Sequence, residues 1–194
     1  MKTTILFAHP WHGSYNKAIL DAVTKGLESI GRDAAVIDLY KDQFNPVLSE
    51  EELALYSRGG YVDPIISRYQ GMLSESDQLV VIFPVWWYGP PAILKGFLDK
   101  VLLKDFAFTE TPSGIKGMLT HIKKVTVITT SEVSTSQIRF FRGNAIVNFL
   151  IKGTLLESGM QNARWLNLGK TTSRTDKARK AFITKAAGMV GNTK

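Results

Sequence analysis

Residues 78–102 read Gln78-Leu79-Val80-Val81-Ile82-Phe83-Pro84-Val85-Trp86-Trp87-Tyr88-Gly89-Pro90-Pro91-Ala92-Ile93-Leu94-Lys95-Gly96-Phe97-Leu98-Asp99-Lys100-Val101-Leu102. The stretch opens on an apolar run of strand length, continuous rather than alternating, which is the pattern of a parallel strand covered on both faces. It closes on Ile93, Leu94, Phe97, Leu98, Val101 and Leu102, whose i, i+4 spacing makes one apolar face of a helix. Between the two lies a loop held by prolines and carrying three consecutive large aromatics. A strand, a loop and a helix in that order are half of a βαβ unit.

The same alternation recurs in both directions. Strand-length runs stand at Thr3 to Ala8, Ala34 to Leu39, Val125 to Thr130 and Ala163 to Leu168. Helical periodicity runs through Ala18, Ile19, Ala22, Val23, Leu27 and Ile30, through Ile146, Phe149, Leu150 and Leu156, and through Ala178, Phe182, Ile183, Ala186 and Val190. Five strands alternating with helices predict an α/β fold with a doubly wound five-stranded parallel sheet and helices on both faces, since crossovers between parallel strands are right-handed. Between Tyr40 and Pro64 the periodicity fails, and the turn-rich sequence predicts a long excursion with one short helix. At 194 residues the chain is sized for one domain, taken as residues 1–194.

Composition excludes several classes of function. Without cysteine there is no disulfide, iron–sulfur cluster or thiol nucleophile, so redox chemistry would require a borrowed cofactor. No apolar run approaches the roughly 20 residues of a membrane span, and the N-terminus is too short of apolar residues for a signal peptide, so we expect a cytoplasmic protein without membrane insertion. The net charge of +7 comes from scattered residues, which reads as a solvated surface rather than a nucleic-acid face. No residues are spaced for a metal.

In a doubly wound sheet, ligands bind beyond the carboxyl ends of the strands, where the winding reverses. Three segments therefore carry the functional reading. After the first strand, His9-Pro10-Trp11-His12-Gly13-Ser14-Tyr15-Asn16 leads into a helix that Ser14 or Asn16 can cap, and the free N–H groups of such a helix attract a phosphate. The glycine fingerprints of dinucleotide folds and P-loops are absent; the plainer reading is a capped helix with incidental histidines. After the third strand, Trp86, Trp87 and Tyr88 cannot all reach a core from one loop, so at least one borders a ligand or a partner subunit. After the fourth, Thr129-Thr130-Ser131-Glu132-Val133-Ser134-Thr135-Ser136 is dense in hydroxyls that can serve a ring or a phosphate. In the order 2-1-3-4-5 these segments converge.

At these residues the chain resembles the flavodoxin-like NAD(P)H:quinone oxidoreductase family, which includes mammalian quinone reductases, the bacterial modulator of drug activity B and the ancillary flavoproteins of potassium efflux systems. The resemblance runs through Ala8-His9-Pro10, Ser14-Tyr15-Asn16, Asp38-Leu39-Tyr40, Phe44-Asn45-Pro46 and, most specifically, Phe83 to Phe97. It implies a flavin, FAD or alternatively FMN, with His9, Ser14, Tyr15 and Asn16 at the phosphates and ribityl chain. Pro84, Val85, Trp86, Trp87 and Tyr88 would line the ring, Trp87 and Tyr88 would form part of the acceptor pocket, and Thr129, Thr130 and Ser131 would meet the ring from the fourth-strand loop. It further implies NADPH or NADH as donor, a quinone-like acceptor, two-electron ping-pong hydride transfer without a covalent catalytic residue, and a homodimer with the active site at the interface. Two departures stand out. The mammalian members follow Thr-Thr with Gly-Gly, where this chain has Ser131-Glu132, and the Tyr and His that assist their flavin fall at Gln137 and Gly143. Arg139 or Arg142 could supply the missing charge. A regulatory flavoprotein docking on a membrane transporter is the alternative, and a one-electron carrier a third reading that the basic charge opposes.

Overall fold

A computed structural model describes residues 1–192. Strand β1 (Thr3–Phe7) leads into helix α1 (Tyr15–Glu28), followed by β2 (Ala34–Asp38), α2 (Glu50–Tyr56), α3 (Pro64–Ser74), β3 (Gln78–Pro84) and α4 (Ala92–Val101). A hairpin of β4 (Phe108–Thr111) and β5 (Gly114–Gly117) precedes β6 (Lys124–Ser131), α5 (Thr135–Phe141), a π-helix (Ile146–Leu156), β7 (Ala163–Gly169) and α6 (Asp176–Gly191). The main sheet has the order β2-β1-β3-β6-β7, all parallel. This is the expected 2-1-3-4-5 order, with the antiparallel hairpin inserted as an excursion outside the sheet.

Side-chain alternation along each strand divides the core in two. Leu6, Val81, Phe83, Val125 and Val127 face Ile66, Tyr69, Leu94, Phe97 and Leu150 from α3, α4 and the π-helix. Ile5, Phe7, Val80, Ile82 and Ile128 face Ile19, Val23, Leu27, Phe182 and Ala186 from α1 and α6. Both faces of β3 are covered, so all seven of its residues are buried and its sequence is continuously apolar.

Three features depart from the sequence reading. Helix α3 went unread; yet Asp63 caps it by accepting from the Ile65 N–H at 3.0 Å, and Pro64 at its first position is a start signal. Its buried stripe of Ile66, Tyr69 and Leu73 has the i, i+3, i+7 spacing of one helix face, so the signal was present in the sequence. The hairpin carries no apolar signal of its own, because none of its residues is buried. The third departure is the winding of residues 146–156. In an α-helix Phe149 and Leu156 would share the face of Ile146 and Leu150, but the buried set is Ile146, Leu150, Ile151 and Leu155, spaced four to five apart as the wider π winding requires. The Thr154 hydroxyl accordingly donates to the carbonyl of Phe149, five residues back, at 3.0 Å.

Candidate functional site

The carboxyl ends of β1, β3 and β6 meet through direct contacts. The Val85 N–H donates to the Thr130 carbonyl at 2.7 Å, the Asn16 amide donates to the Thr130 hydroxyl at 2.9 Å, and the His9 and Trp86 rings lie 6.4 Å apart. Convergence of the three segments is therefore made by hydrogen bonds and ring contact, beyond what strand order alone dictates.

Along the first segment the free backbone groups and the free His9 nitrogen are donors. Ser14 caps α1 by accepting from the Lys17 N–H at 3.1 Å. The next two N–H groups, of Tyr15 and Asn16, have no partner among the described residues, as the first turn of any helix requires. His9 accepts the Trp11 N–H on Nδ1 at 3.1 Å, which puts its proton on Nε2. Burial, aided by the nearby His12 ring, holds His9 below the ordinary imidazole range, so at neutral pH it is an uncharged donor. Gly13 lets the Trp11 ring lie over the loop: a Cβ at this position would stand 2.5 Å from it and displace the exposed ring.

Asn16 is buried, and its Oδ1 has no partner. Because the Thr130 hydroxyl accepts or donates equally well, a turned-over amide would serve it too and leave the N–H₂ free instead. Either way one buried polar atom beside the α1 N-terminus is unsatisfied, which normally costs stability. Tyr15 points elsewhere: its hydroxyl donates to the Arg179 carbonyl of α6 at 2.6 Å, and burial pushes it up to about 12 against the Arg179 charge. Only its backbone faces the helix end.

The aromatic segment is a tight turn. Trp86 and Gly89 exchange both N–H to carbonyl bonds at 3.0 Å, and the two residues between them have positive φ, 47° at Trp87 and 64° at Tyr88. This is the geometry of a type I′ turn, normally built from Asn and Gly. With large side chains in both central positions it stores strain, as functional sites do. The turn throws Trp87 out to 97% exposure and leaves the Trp87 and Tyr88 N–H groups outside the turn's own pair of bonds. Pro84 stays in β3 as a buried residue and Val85 is half-buried.

The fourth-strand loop differs from the other two, because its hydroxyls are already committed. Thr129 donates to Asn167 at 2.8 Å and accepts from the Trp165 indole at 2.8 Å. Ser131 donates to the Val133 carbonyl at 2.8 Å and accepts from the Asn167 amide at 3.1 Å. Thr130 is held by Asn16. Asn167, which sequence reading passed over, is the hub: its amide also reaches the Thr135 hydroxyl at 2.9 Å. A polar residue inside the apolar run 163–168 was the available signal. Asp38 was missed in the same way; at the end of β2 it accepts from His12 at 3.1 Å and ties down the loop after β1. Arg139 stacks on Trp165 at 5.1 Å, and Arg142 stands over the Tyr88 ring at 5.5 Å.

A family model described as the flavodoxin-like fold matches residues 1–189. The chain belongs to this family. Among relatives of this flavodoxin-like chain, an uncharacterized NAD(P)H oxidoreductase of Haemophilus influenzae is 32% identical over 188 residues, covering 96% of this chain and 93% of that protein. NAD(P)H dehydrogenase [quinone] 1 of Cavia porcellus is 32% identical over 66% of the chain, which spans about half the length of that enzyme, 53%. The crystal structure of an NAD(P)H:quinone oxidoreductase from Methanothermobacter marburgensis superposes with a TM-score of 0.88 at 25% identity, covering 100% of this chain and 99% of the other. Among the described residues no helix is long and apolar enough to cross a membrane.

Proposed function

We propose that this flavodoxin-like protein is a flavin-dependent NAD(P)H oxidoreductase that reduces quinones or similar flat acceptors. The observation that carries the reading is the meeting of a donor-rich helix end with a strained aromatic turn at one end of the sheet. The helix end fits a phosphate: the free Tyr15 and Asn16 N–H groups, the positive end of α1 and the His9 Nε2–H are the groups an anion's oxygens would complete, and the orphaned buried Asn16 side chain beside them, once its amide is turned over, offers a further donor. The turn fits a conjugated ring, offering rings to border it and the free Trp87 and Tyr88 N–H groups to bond its edge. The names of the relatives support the same chemistry.

When bound, the flavin supplies hydride acceptance from the nicotinamide and hydride donation to the acceptor, in a ping-pong sequence. The protein's share is orientation and exclusion of water. His9, Ser14, Asn16 and the Tyr15 backbone hold the phosphate; Pro84, Val85 and the Trp86–Tyr88 backbone fix the ring's position; Trp87 and Tyr88 border the open face where donor and acceptor alternate. With the Thr129, Thr130 and Ser131 hydroxyls engaged inside the protein, that loop contributes its backbone and rigidity rather than its side chains. Trp11, two-thirds exposed beside the α1 N-terminus, offers a face for an adenine, which favours FAD over FMN. Exposed Trp87 favours a homodimer that completes the pocket. Dependence on a nicotinamide pool fits a cytoplasmic location.

The test is spectroscopic. The purified protein should carry, or take up, FAD or FMN, and anaerobic NADPH or NADH should bleach it. A colourless preparation that takes up neither flavin overturns the reading; mass analysis of released cofactor separates FAD from FMN. The committed hydroxyls, together with Gln137 and Gly143, favour a second reading as a regulatory flavoprotein docking on a membrane transporter. Slow turnover with a co-purifying transporter would support it over the first.

A further inference from the structure

We propose that Arg142 and the polar cleft beside it form an anion-selective subsite at the mouth of the acceptor pocket, so that substrates bearing a sulfonate, carboxylate or phosphate are preferred over neutral ones. The inference deepens the reductase reading and rests on it. An open cleft of about 530 Å³ is lined by Ser134, Ser136, Gln137, Phe141 and Arg142. Every polar side chain in that lining can donate a hydrogen bond and none is acidic. Arg142 has no carboxylate within 4.0 Å among the described residues, whereas Arg179 pairs with Asp176 and Arg68 with Asp42. Arg139 lies over the Trp165 face and does not line the cleft, which leaves Arg142 as the cation in its lining.

The guanidinium is held, not free. It stands 5.5 Å from the centre of the Tyr88 ring, a cation–π contact that restrains the side chain without using its N–H groups in an ion pair. Arg142 closes α5 with φ of −131°, and Gly143 follows at φ 69°, so the chain leaves the helix abruptly and the side chain lies back against the aromatic turn. The Ser134 and Ser136 hydroxyls are hydrogen-bonded to each other at 3.1 Å, which leaves one O–H of the pair as a neutral donor at the other side of the cleft. A flat acceptor resting against Tyr88 would place a ring substituent here, and a guanidinium with one hydroxyl is suited to the oxygens of a carboxylate, sulfonate or phosphate.

Two sources present this chemistry: an acidic substituent on the acceptor and the 2′-phosphate of NADPH. The experiment separates them. For wild type, Arg142→Gln, Arg142→Lys and the remote-charge control Lys185→Gln, kcat/KM is measured for 1,4-naphthoquinone against its 2-sulfonate, and for NADPH against NADH. In Arg142→Gln the sulfonate-to-neutral ratio should fall about tenfold, as expected for one exposed charge-assisted contact; the Lys variant should lie between, and Lys185→Gln should match wild type. Movement of the nucleotide ratio instead assigns the anion to the donor. If neither ratio moves in Arg142→Gln, or if Lys185→Gln moves them as much, the proposal is overturned. Binding of the two naphthoquinones to the full chain, followed by quenching of tryptophan fluorescence, gives the same comparison without turnover. A protein that bleaches no flavin but prefers the sulfonate through Arg142 would refute the reductase reading and leave the subsite standing.

Discussion

At Trp87 the backbone takes a conformation its side chain opposes. Left-handed φ is disfavoured by about 1–2 kcal/mol for a residue with a Cβ, and nothing buried repays it, since the ring is almost fully exposed. We therefore expect Trp87→Gly to hold or raise thermal stability, by up to about 1 kcal/mol, while raising the acceptor KM. A fall in melting temperature would mean that the exposed ring makes stabilising contacts within the chain. The same logic separates the two roles of Ser14. Ser14→Ala and Thr175→Ala each remove a helix N-cap, from α1 and α6, and each should destabilise by about 1 kcal/mol. Only Ser14→Ala should also weaken flavin affinity, measured by titrating flavin into the stripped protein; equal affinities in the two variants would remove the α1 N-terminus from the site.

Among the elements, α4 is the one that joins the site to the rest of the molecule. It begins where the aromatic loop ends, and from its last turn the Lys100 ammonium reaches Glu52 of α2 at 2.9 Å and the carbonyls of Asn45 and Val47 at 3.0 and 3.3 Å. This buried clasp ties the long excursion after β2 to α4, reinforced at Gly96, where a Cβ would stand 2.3 Å from the Pro46 carbonyl oxygen. Lys100→Met should cost about 3 kcal/mol by leaving the buried Glu52 carboxylate without its counter-charge, held only by the Ser49 N–H, and adding Glu52→Leu should restore most of it. Burial by itself would raise Glu52, but hydrogen bonds from Lys100 and Ser49 and the Lys100 charge outweigh it and hold the carboxyl below its usual value. Its contribution to stability is therefore present above the unfolded carboxyl pKa, about 4.3, and is lost as pH falls through the lower folded value. Urea unfolding of wild type and Glu52→Gln across that range should show a steeper acid loss in wild type; parallel curves would contradict the assignment.

On the scale of the whole molecule, Trp87, Phe140 and Phe141 are exposed at 97%, 76% and 75%, and the Arg142–Tyr88 contact links the segments that carry them. Rings so placed on one side of a site mark a surface that binds something. We expect a homodimer by analytical ultracentrifugation, and a Phe140→Ser/Phe141→Ser variant that dissociates at higher concentration and loses acceptor turnover. A monomeric wild type would refute it. The sheet itself was legible from residues: continuous apolar runs have one economical arrangement, because parallel strands must be covered on both faces, and all five predicted strands fall within a residue or so of those observed. The candidate segments were legible for a related reason, since helix starts and proline-bound aromatics declare themselves locally. What the one-dimensional reading lacked is the state of each polar group once folded. The hydroxyls of Thr129, Thr130 and Ser131 looked available and are spent, on an Asn167 that lies 36 or more residues away and on Asn16, 114 residues from its partner. Tyr15 looked like a ligand contact and its hydroxyl is turned to α6. Sequence alone determined the layers, because those follow from local burial patterns, and the strand order came with the flavodoxin-like resemblance, which in turn singled out the segments where a ligand is proposed to sit. Tertiary structure alone decided which donors remain free there, because a hydrogen bond across the fold is a matter of distance in space, and distance along the chain does not encode it.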